Sequence, residues 1–401
     1  MVRRLSTLAL LILIVLGAAA RVRQRTLPVL ERSPEAHPLG AFHVHSSLSH
    51  DGFLSLEEIA RTAERLGLEF VVVTDHNRQL AGPVQLGRVT VLSYAELSTP
   101  FGHLVALGSD QLFDDEERAR LSVVQRIADG HGVAVVTHPA DPKRPWDGPA
   151  AGLGGFEIAN LASSARRRGG PIFLGLLPTL FAYPLNPDLA LAQIYDRDHR
   201  ALERWDGESR PDVIGLCGGD AHGRPLPLAD NLRGFTLVLE AALPADTESR
   251  PQAILDLLHR SRFHCVAALF GMDPEFELAA TSGPEVVGRP GDSVTTSQID
   301  ALQVTSPKSS TVQPTLVLLR NGEEVVRSQQ SSLRYAAPTP GTYRVEVRLP
   351  IPGILFGERP VPVIYSNRIR VELAPDPPPP PAPEPAIEAS PEPAPEPTPE
   401  P

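Results

Sequence analysis

Cysteine is nearly missing: Cys217 and Cys265 are the two in 401 residues, which excludes a disulfide-stapled scaffold. An excess of positive charge is also missing. Lys and Arg number 37 against 48 Asp and Glu, a net charge of −11, so no general attraction to nucleic acid or anionic membranes follows. Part of the acidity is local, because six acids fall within the last 28 residues. Charged residues are 21% and hydrophobic ones 42%, which excludes a mostly disordered chain and permits a sizeable core. The length predicts two or three domains.

A long apolar run stands at the start, from Leu5 to Ala20, interrupted by Ser6, Thr7 and Gly17. Arg3 and Arg4 precede it and Ala18-Ala19-Ala20 offers a cleavage site, the pattern of an export signal. At about 1.5 Å per residue the run reaches roughly 24 Å, short of the ~30 Å hydrocarbon core. That favours a cleaved signal peptide. Arg21, Arg23 and Arg25 follow at once and resist translocation, so residues 1–25 are read as a signal peptide or as an anchor tethering the chain to the membrane. In both cases the mature part is expected outside the cytoplasmic membrane: periplasmic, secreted or anchored facing outward.

At the other end, residues 374–401 contain 14 prolines. Proline fixes φ and removes donors, so this acidic tail is expected to be an extended, disordered, solvated segment. Before it, residues 285–373 carry short alternating or β-branched runs, such as Leu316 to Leu319 and Tyr343-x-Val345-x-Val347. Asn321-Gly322 sits between two of them as a hairpin signal. This segment reads as a small antiparallel β-sandwich with no catalytic cluster.

Residues 26–284 alternate strand and helix. Ala41 to His45, Phe70 to Val73, Val89 to Leu92, His103 to Leu107, Val133 to Thr137, Val213 to Cys217, Phe235 to Leu239 and Cys265 to Leu269 read as strands. Ser55 and Glu58 form a capping box ahead of the stripe Leu56, Ile59, Ala63 and Leu66. Asp114 to Gly130, Asp188 to Trp205 and Pro251 to Arg262 read as helices. Repeated βα units imply a parallel sheet covered by helices, and a barrel is its economical closure. Pro171 to Pro184 is apolar but short and proline-bearing, so it reads as a packing helix or the wall of a pocket.

Polar residues appear where these strands stop: His43-Val-His45, then His50-Asp51-Gly52, Thr74-Asp75-His76, Glu96, Thr137-His138-Pro139 and Gly219-Asp220-Ala221-His222, while His103 begins the next apolar run. Strand ends on one rim of a barrel converge in space. Imidazole and carboxylate together suit Zn, Mn or Fe. Nine such ligands exceed what one tetrahedral ion uses, so two or three divalent ions are expected. His37, His131, His199, His259 and His264 do not follow this placement and read as structural, as does Cys217.

As an ordered set these motifs resemble the PHP (polymerase and histidinol phosphatase) superfamily, over about Leu39 to Leu269. The resemblance implies a distorted (β/α)7 barrel. It implies a first ion held by His43, His45 and Asp220, with Glu96 bridging to a second that His103 and His138 complete. His76 and His222 would bind a third ion with His50. The family usually has Asp in a Ser-Asp-Gly turn there; this chain has Ser49-His50-Asp51-Gly52, so His50 or Asp51 faces that ion, His50 being favoured.

The resemblance further implies hydrolysis, most often of a phosphate mono- or diester, by a metal-bridging hydroxide. Asp75 would orient a ligand histidine or relay a proton, or simply cap its strand end. Lys143 and Arg144 are candidates to hold an anionic small-molecule ester, with Arg78 a second choice. A branch cleaving carbamate or carboxylic esters shares the export signal and trailing β-module and forms an alternative. The remaining alternative is a non-catalytic secreted binding protein working through the β-module and tail.

Overall fold

A computed structural model describes residues 2–170, 174–210 and 212–375; the proline-rich tail from 376 onward lies outside the described residues. The chain is mixed α/β and rich in strands. It begins with helix α1 (Val2–Gln24). Among the described residues no helix is long and apolar enough to cross a membrane.

Strand β1 (Leu39–Val44) lies beside β2 (Phe70–Val73), which pairs with β4 (Val89–Ser93), all parallel; β3 (Val84–Leu86) returns antiparallel on the edge. Each residue of β1, β2 and β4 is buried. Strands covered on both faces need continuous rather than alternating apolar runs, and Phe70-Val71-Val72-Val73 is such a run. Between β1 and β2, helix α2 (Leu56–Arg65) starts at the expected capping box: Ser55 accepts from the Glu58 amide and Glu58 reaches back to Ser55 N.

A second sheet follows in chain order: β5 (Glu96–Thr99), β6 (Gly102–Leu107), β7 (Val133–Val136), β8 (Gly155–Asn160) and β9 (Ile214–Gly218), with the β7–β8–β9 part parallel. Its helices are shorter than expected. Asp114–Gly130 splits into α3 (Asp115–Arg118) and α4 (Ser122–Asp129). After β8 comes α5 (Leu161–Gly169), then a 3-10 turn at Leu174–Leu176 and α6 (Leu177–Ala182). Asp188–Trp205 divides into α7 (Pro187–Ala192) and α8 (His199–Asp206). The capping side chains Asp114, Asn186 and Asp198 each accept from a backbone N–H in the first turn, which starts these short helices locally.

Helix α9 (Leu228–Leu232), β10 (Thr236–Leu239), α10 (Arg250–His259) and β11 (Phe263–Val266) complete this part, with β10 between β1 and β11, antiparallel to both. The strands are therefore divided between two sheets rather than one uniform parallel ring. Two isolated bridges link the sheets. Val44 bridges Ala221 beyond β9, and His76 beyond β2 bridges Glu96 at the start of β5.

The remaining strands are β12 (Glu277–Ser282), β13 (Glu285–Gly288), β14 (Ser293–Thr295), β15 (Ala301–Thr305), β16 (Thr315–Arg320), β17 (Glu323–Ser328), β18 (Ser332–Ala336), β19 (Gly341–Pro352), β20 (Glu358–Ser366) and β21 (Ile369–Glu372). The order β13-β12-β15-β18 forms a four-stranded sheet, while β20 pairs with β11 and extends the first sheet. The β16–β17 hairpin turns at Asn321-Gly322, both with positive φ as a two-residue turn of this hand requires. Arg344, Arg197 and Arg348 surround the buried Glu346 carboxylate, and Arg344 also pairs with Asp206.

Candidate metal centre

The ligand-type side chains gather where strands leave their ladders. Between β1 and β2 the register shifts at His43, whose φ is 65°. This bulge turns the backbone as β1 ends, and His45 then continues by bonding across to Ala221. His138 and Asp220 also have positive φ, a conformation uncommon for such residues and concentrated at functional sites. Gly218 is required here, since a Cβ would lie 2.3 Å from the Glu157 carboxylate and 2.7 Å from the His43 Cβ.

Glu96 lies at the middle and is fully buried. Its Oε1 is 3.4 Å from His43 Nε2, 3.3 Å from His103 Nδ1 and 3.2 Å from His138 Nε2; its Oε2 is 3.5 Å from His45 Nε2 and 3.1 Å from His76 Nδ1. Asp220 Oδ1 is 3.5 Å from both His43 Nε2 and His45 Nε2. Asp51 Oδ2 is 3.2 Å from His76 Nε2 and 3.2 Å from His222 Nε2. Three groupings have the span of an ion site: His45, Asp51, His76 and His222; His43, His45 and Glu96; His76, Glu96 and His103.

These residues fit metal ions. His43 Nε2, both ring nitrogens of His45, His76 Nδ1, His103 Nδ1 and Glu96 Oε2 are buried without a hydrogen-bond partner. Buried polar atoms are nearly always satisfied, and so many unsatisfied ligand atoms aimed at one another are accounted for by cations between them.

Of the residues singled out from sequence, His43, His45, His76, Glu96, His103, His138, Asp220 and His222 are brought together. His50 stays at the margin: its side chain is 78% exposed, 4.0 Å from Asp51, with its ring 5.3 Å from that of His76. Asp51 occupies the position beside His76 and His222. Asp75 is buried behind the cluster, accepting from Ser46 N, Ser46 Oγ and Ser49 N; it holds the 46–49 turn. Arg144 Nη1 lies 3.0 Å from His103 Nε2. Lys143 and Arg144 line a cleft of about 590 Å³ that also includes His103 and Arg118. Arg78 bonds through its amide to Asp75 O.

The second layer was not singled out from sequence. Glu157 accepts from His43 Nδ1 at 3.0 Å and from His138 N at 2.7 Å. A carboxylate only accepts, so it fixes the Nδ1–H tautomer and leaves the His43 Nε2 lone pair facing the cluster. Thr137 Oγ1 donates to Glu96 Oε1. Arg166 bonds Asp141 at 2.5 Å and Asp220 Oδ2 at 3.4 Å, leaving Oδ1 inward. The sequence signal for Glu157 is an acid in the middle of an otherwise apolar strand.

The electrostatics are strongly coupled. Burial alone would lower the His43 pKa, yet Glu157, Glu96 and Asp220 hold it well above its ordinary value, so an ion that takes the Nε2 lone pair would displace a proton there. Burial alone would raise Glu96, but His43 with hydrogen bonds from His103 and His138 keeps it well below the usual carboxylate range. Asp220 is held well below it in the same way, chiefly by His43 and His45 against its burial. Burial lowers His45 against the pull of Asp220 and Glu96. Carboxylates held ionised are the form that binds cations.

No family model and no curated protein matches the chain. Among solved structures, it is similar to PsfC from Pseudomonas syringae, at 14% identity and a TM-score of 0.30, over 57% of this chain and 99% of that one. It is also similar to a two-domain protein containing a predicted PHP-like metal-dependent phosphoesterase from Bacteroides vulgatus, at 11% identity and a TM-score of 0.34, over 84% of this chain and 98% of that one. Similarity this slight carries no weight on its own. The weight rests on the ligands themselves, whose series, in order along the chain, converges on Glu96.

Proposed function

We propose that this protein is an exported metal-dependent phosphoesterase acting on a phosphate mono- or diester of a small molecule. The observation that carries the reading is the set of partnerless buried ligand atoms around Glu96. His43, His45, His76, Glu96, His103, His138, Asp220, His222 and Asp51 would hold two or three divalent ions. When bound, such ions acidify water and take up charge on phosphoryl oxygens.

The chain's own residues orient and bind. Glu157 and Arg166 fix the directions of His43 and Asp220, and Thr137 fixes Glu96. Lys143 and Arg144, which line the cleft beside His103, would hold phosphoryl oxygens. These cations favour phosphate over a carbamate or carboxylic ester. The apolar side chains of 174–182, which would have suited a carbon ester, are absent from that cleft among the described residues.

Two further readings have support. The bridges Val44–Ala221 and His76–Glu96 suit the two seams of a distorted (β/α)7 barrel spanning residues 26–284, braced by the 285–373 module through β11–β20. Export is supported by Cys217–Cys265, a buried disulfide of the kind that persists in oxidising compartments.

The test is turnover by metal-loaded protein of p-nitrophenyl phosphate, bis-p-nitrophenyl phosphate and 1-naphthyl esters. Phosphate ester turnover that chelation abolishes is expected. Turnover confined to the carbon esters would overturn the phosphoesterase reading, and less than one metal per chain after careful purification would overturn the enzyme itself.

A further inference from the structure

We infer that the catalytic body seats itself on a phospholipid bilayer through a second apolar element, α6 and the loop at Phe356, placed beside the end of α1. Fifteen large hydrophobic side chains are strongly exposed among the described residues, and nine belong to this one end. Four are consecutive in α1, from Leu13 to Leu16. Leu174, Leu177, Leu180 and Phe181 follow the three- and four-residue spacing that puts them on one face across the 3-10 turn and α6. Phe356 is the ninth and is 76% exposed. Scattered exposed hydrophobes need no explanation, whereas a concentration of this kind marks an interaction surface.

The pieces are fixed to one another. Val22, at the end of α1, is buried in a small separate core with Ala182, Leu189 and Ala190, against which Ile354 and Leu355 pack. Asn186 Nδ2 donates to Val22 O at 3.0 Å and to Arg25 O at 2.8 Å. Arg21 Nε donates to Leu355 O at 2.8 Å, and its guanidinium lies 5.0 Å from the centre of the Phe356 ring. Thus the buried side of α6 holds the end of α1 and the 352–357 loop, while Leu177, Leu180 and Phe181 on its opposite side stay exposed.

Charge identifies the occupant. The chain carries −11 overall, yet residues 1–30 contain five arginines and no acid, and residues 158–187 contain three arginines and no acid. Arg166 and Arg167 are engaged with Asp141 and Asp198, while Arg21 and Arg25 sit on Leu355 O at the apolar end and the Arg168 backbone runs beside Gly175. An apolar face with a cationic border is the signature of a segment lying at the headgroup–acyl boundary of a membrane with anionic lipid. A second copy of this chain would bring the same positive border against itself.

The experiment uses the full chain with Phe181→Trp and vesicles of phosphatidylcholine containing a minor fraction of phosphatidylglycerol. Acyl-brominated lipid is expected to quench the indole introduced by this substitution, while Trp146 and Trp205, both buried, are unaffected in the parent. Leu177→Asp with Leu180→Asp is expected to lower vesicle partitioning about tenfold or more, with the thermal midpoint unchanged because both side chains are exposed. Absence of quenching in vesicle-bound Phe181→Trp protein would overturn the inference by leaving α1 as the sole contact. A dimer in solution that protects 174–181 from hydrogen exchange would also overturn it, by assigning the face to a second copy.

Discussion

Glu157→Gln isolates the layer behind the ligands. The carboxylate faces two N–H donors, His43 Nδ1 at 3.0 Å and the His138 amide at 2.7 Å. An amide has one acceptor oxygen, so one donor must meet an NH2 group. The change removes one charge-assisted hydrogen bond, worth about 1.5–3 kcal/mol. It also frees His43 to take the other tautomer, with Nε2 protonated and unable to ligate. At ~1.4 kcal/mol per decade, the expected loss in metal affinity is about 10- to 100-fold, the usual range for such outer partners. The assay is Zn or Mn titration of metal-free protein against a competing chelator, with the thermal midpoint of the same metal-free samples as control. Affinity unchanged at an unchanged midpoint would refute the reasoning, because His43 would then be oriented by something other than Glu157.

His50→Ala is expected to leave metal stoichiometry unchanged, whereas Asp51→Asn lowers it; elemental analysis of both variants decides, and the reverse pattern would return His50 to the site. Breaking Cys217–Cys265, whose cysteines stand 48 residues apart in sequence, is expected to cost about 4 kcal/mol by loop-closure entropy, read as a lower urea midpoint under reductant. Glu346 is fully buried, which alone would raise its pKa, but Arg344, Arg197 and Arg348 draw it down to about 2. A folded pKa below the unfolded value gives stability that is present above the unfolded pKa and lost as pH falls through the folded one. About 3 kcal/mol should therefore disappear between roughly pH 5 and pH 2, seen as a falling urea midpoint that Glu346→Gln flattens.

Some of this protein was determined by local sequence. Ser55 and Glu58 start α2 because both partners of a capping box lie within one turn. Asn321-Gly322 makes its hairpin because both residues tolerate positive φ. Phe70 to Val73 and Val133 to Val136 become buried strands because their apolar runs have no polar face to present. The ligand series was visible for the same reason: its imidazoles and acids stand at the ends of such strands, either closing one or opening the next.

Tertiary structure decided what depends on distance through space. Whether His50 or Asp51 turns inward is set by the 46–52 turn, which Asp75 holds from another strand. Glu157 and Arg166 act through partners far along the chain, so neither has a neighbour in sequence to betray its role. Cys217 and Cys265 are joined because β9 and β11 approach, and β20 extends the first sheet because β11 offers it an edge. The apolar stretch around α6 reads as a packing helix by composition, but its exposed face follows from which side the small core at Val22 already occupies. Local pattern specifies the strands, turns and ligand types; long-range packing specifies which atoms face one another, and the chemistry belongs to those atoms.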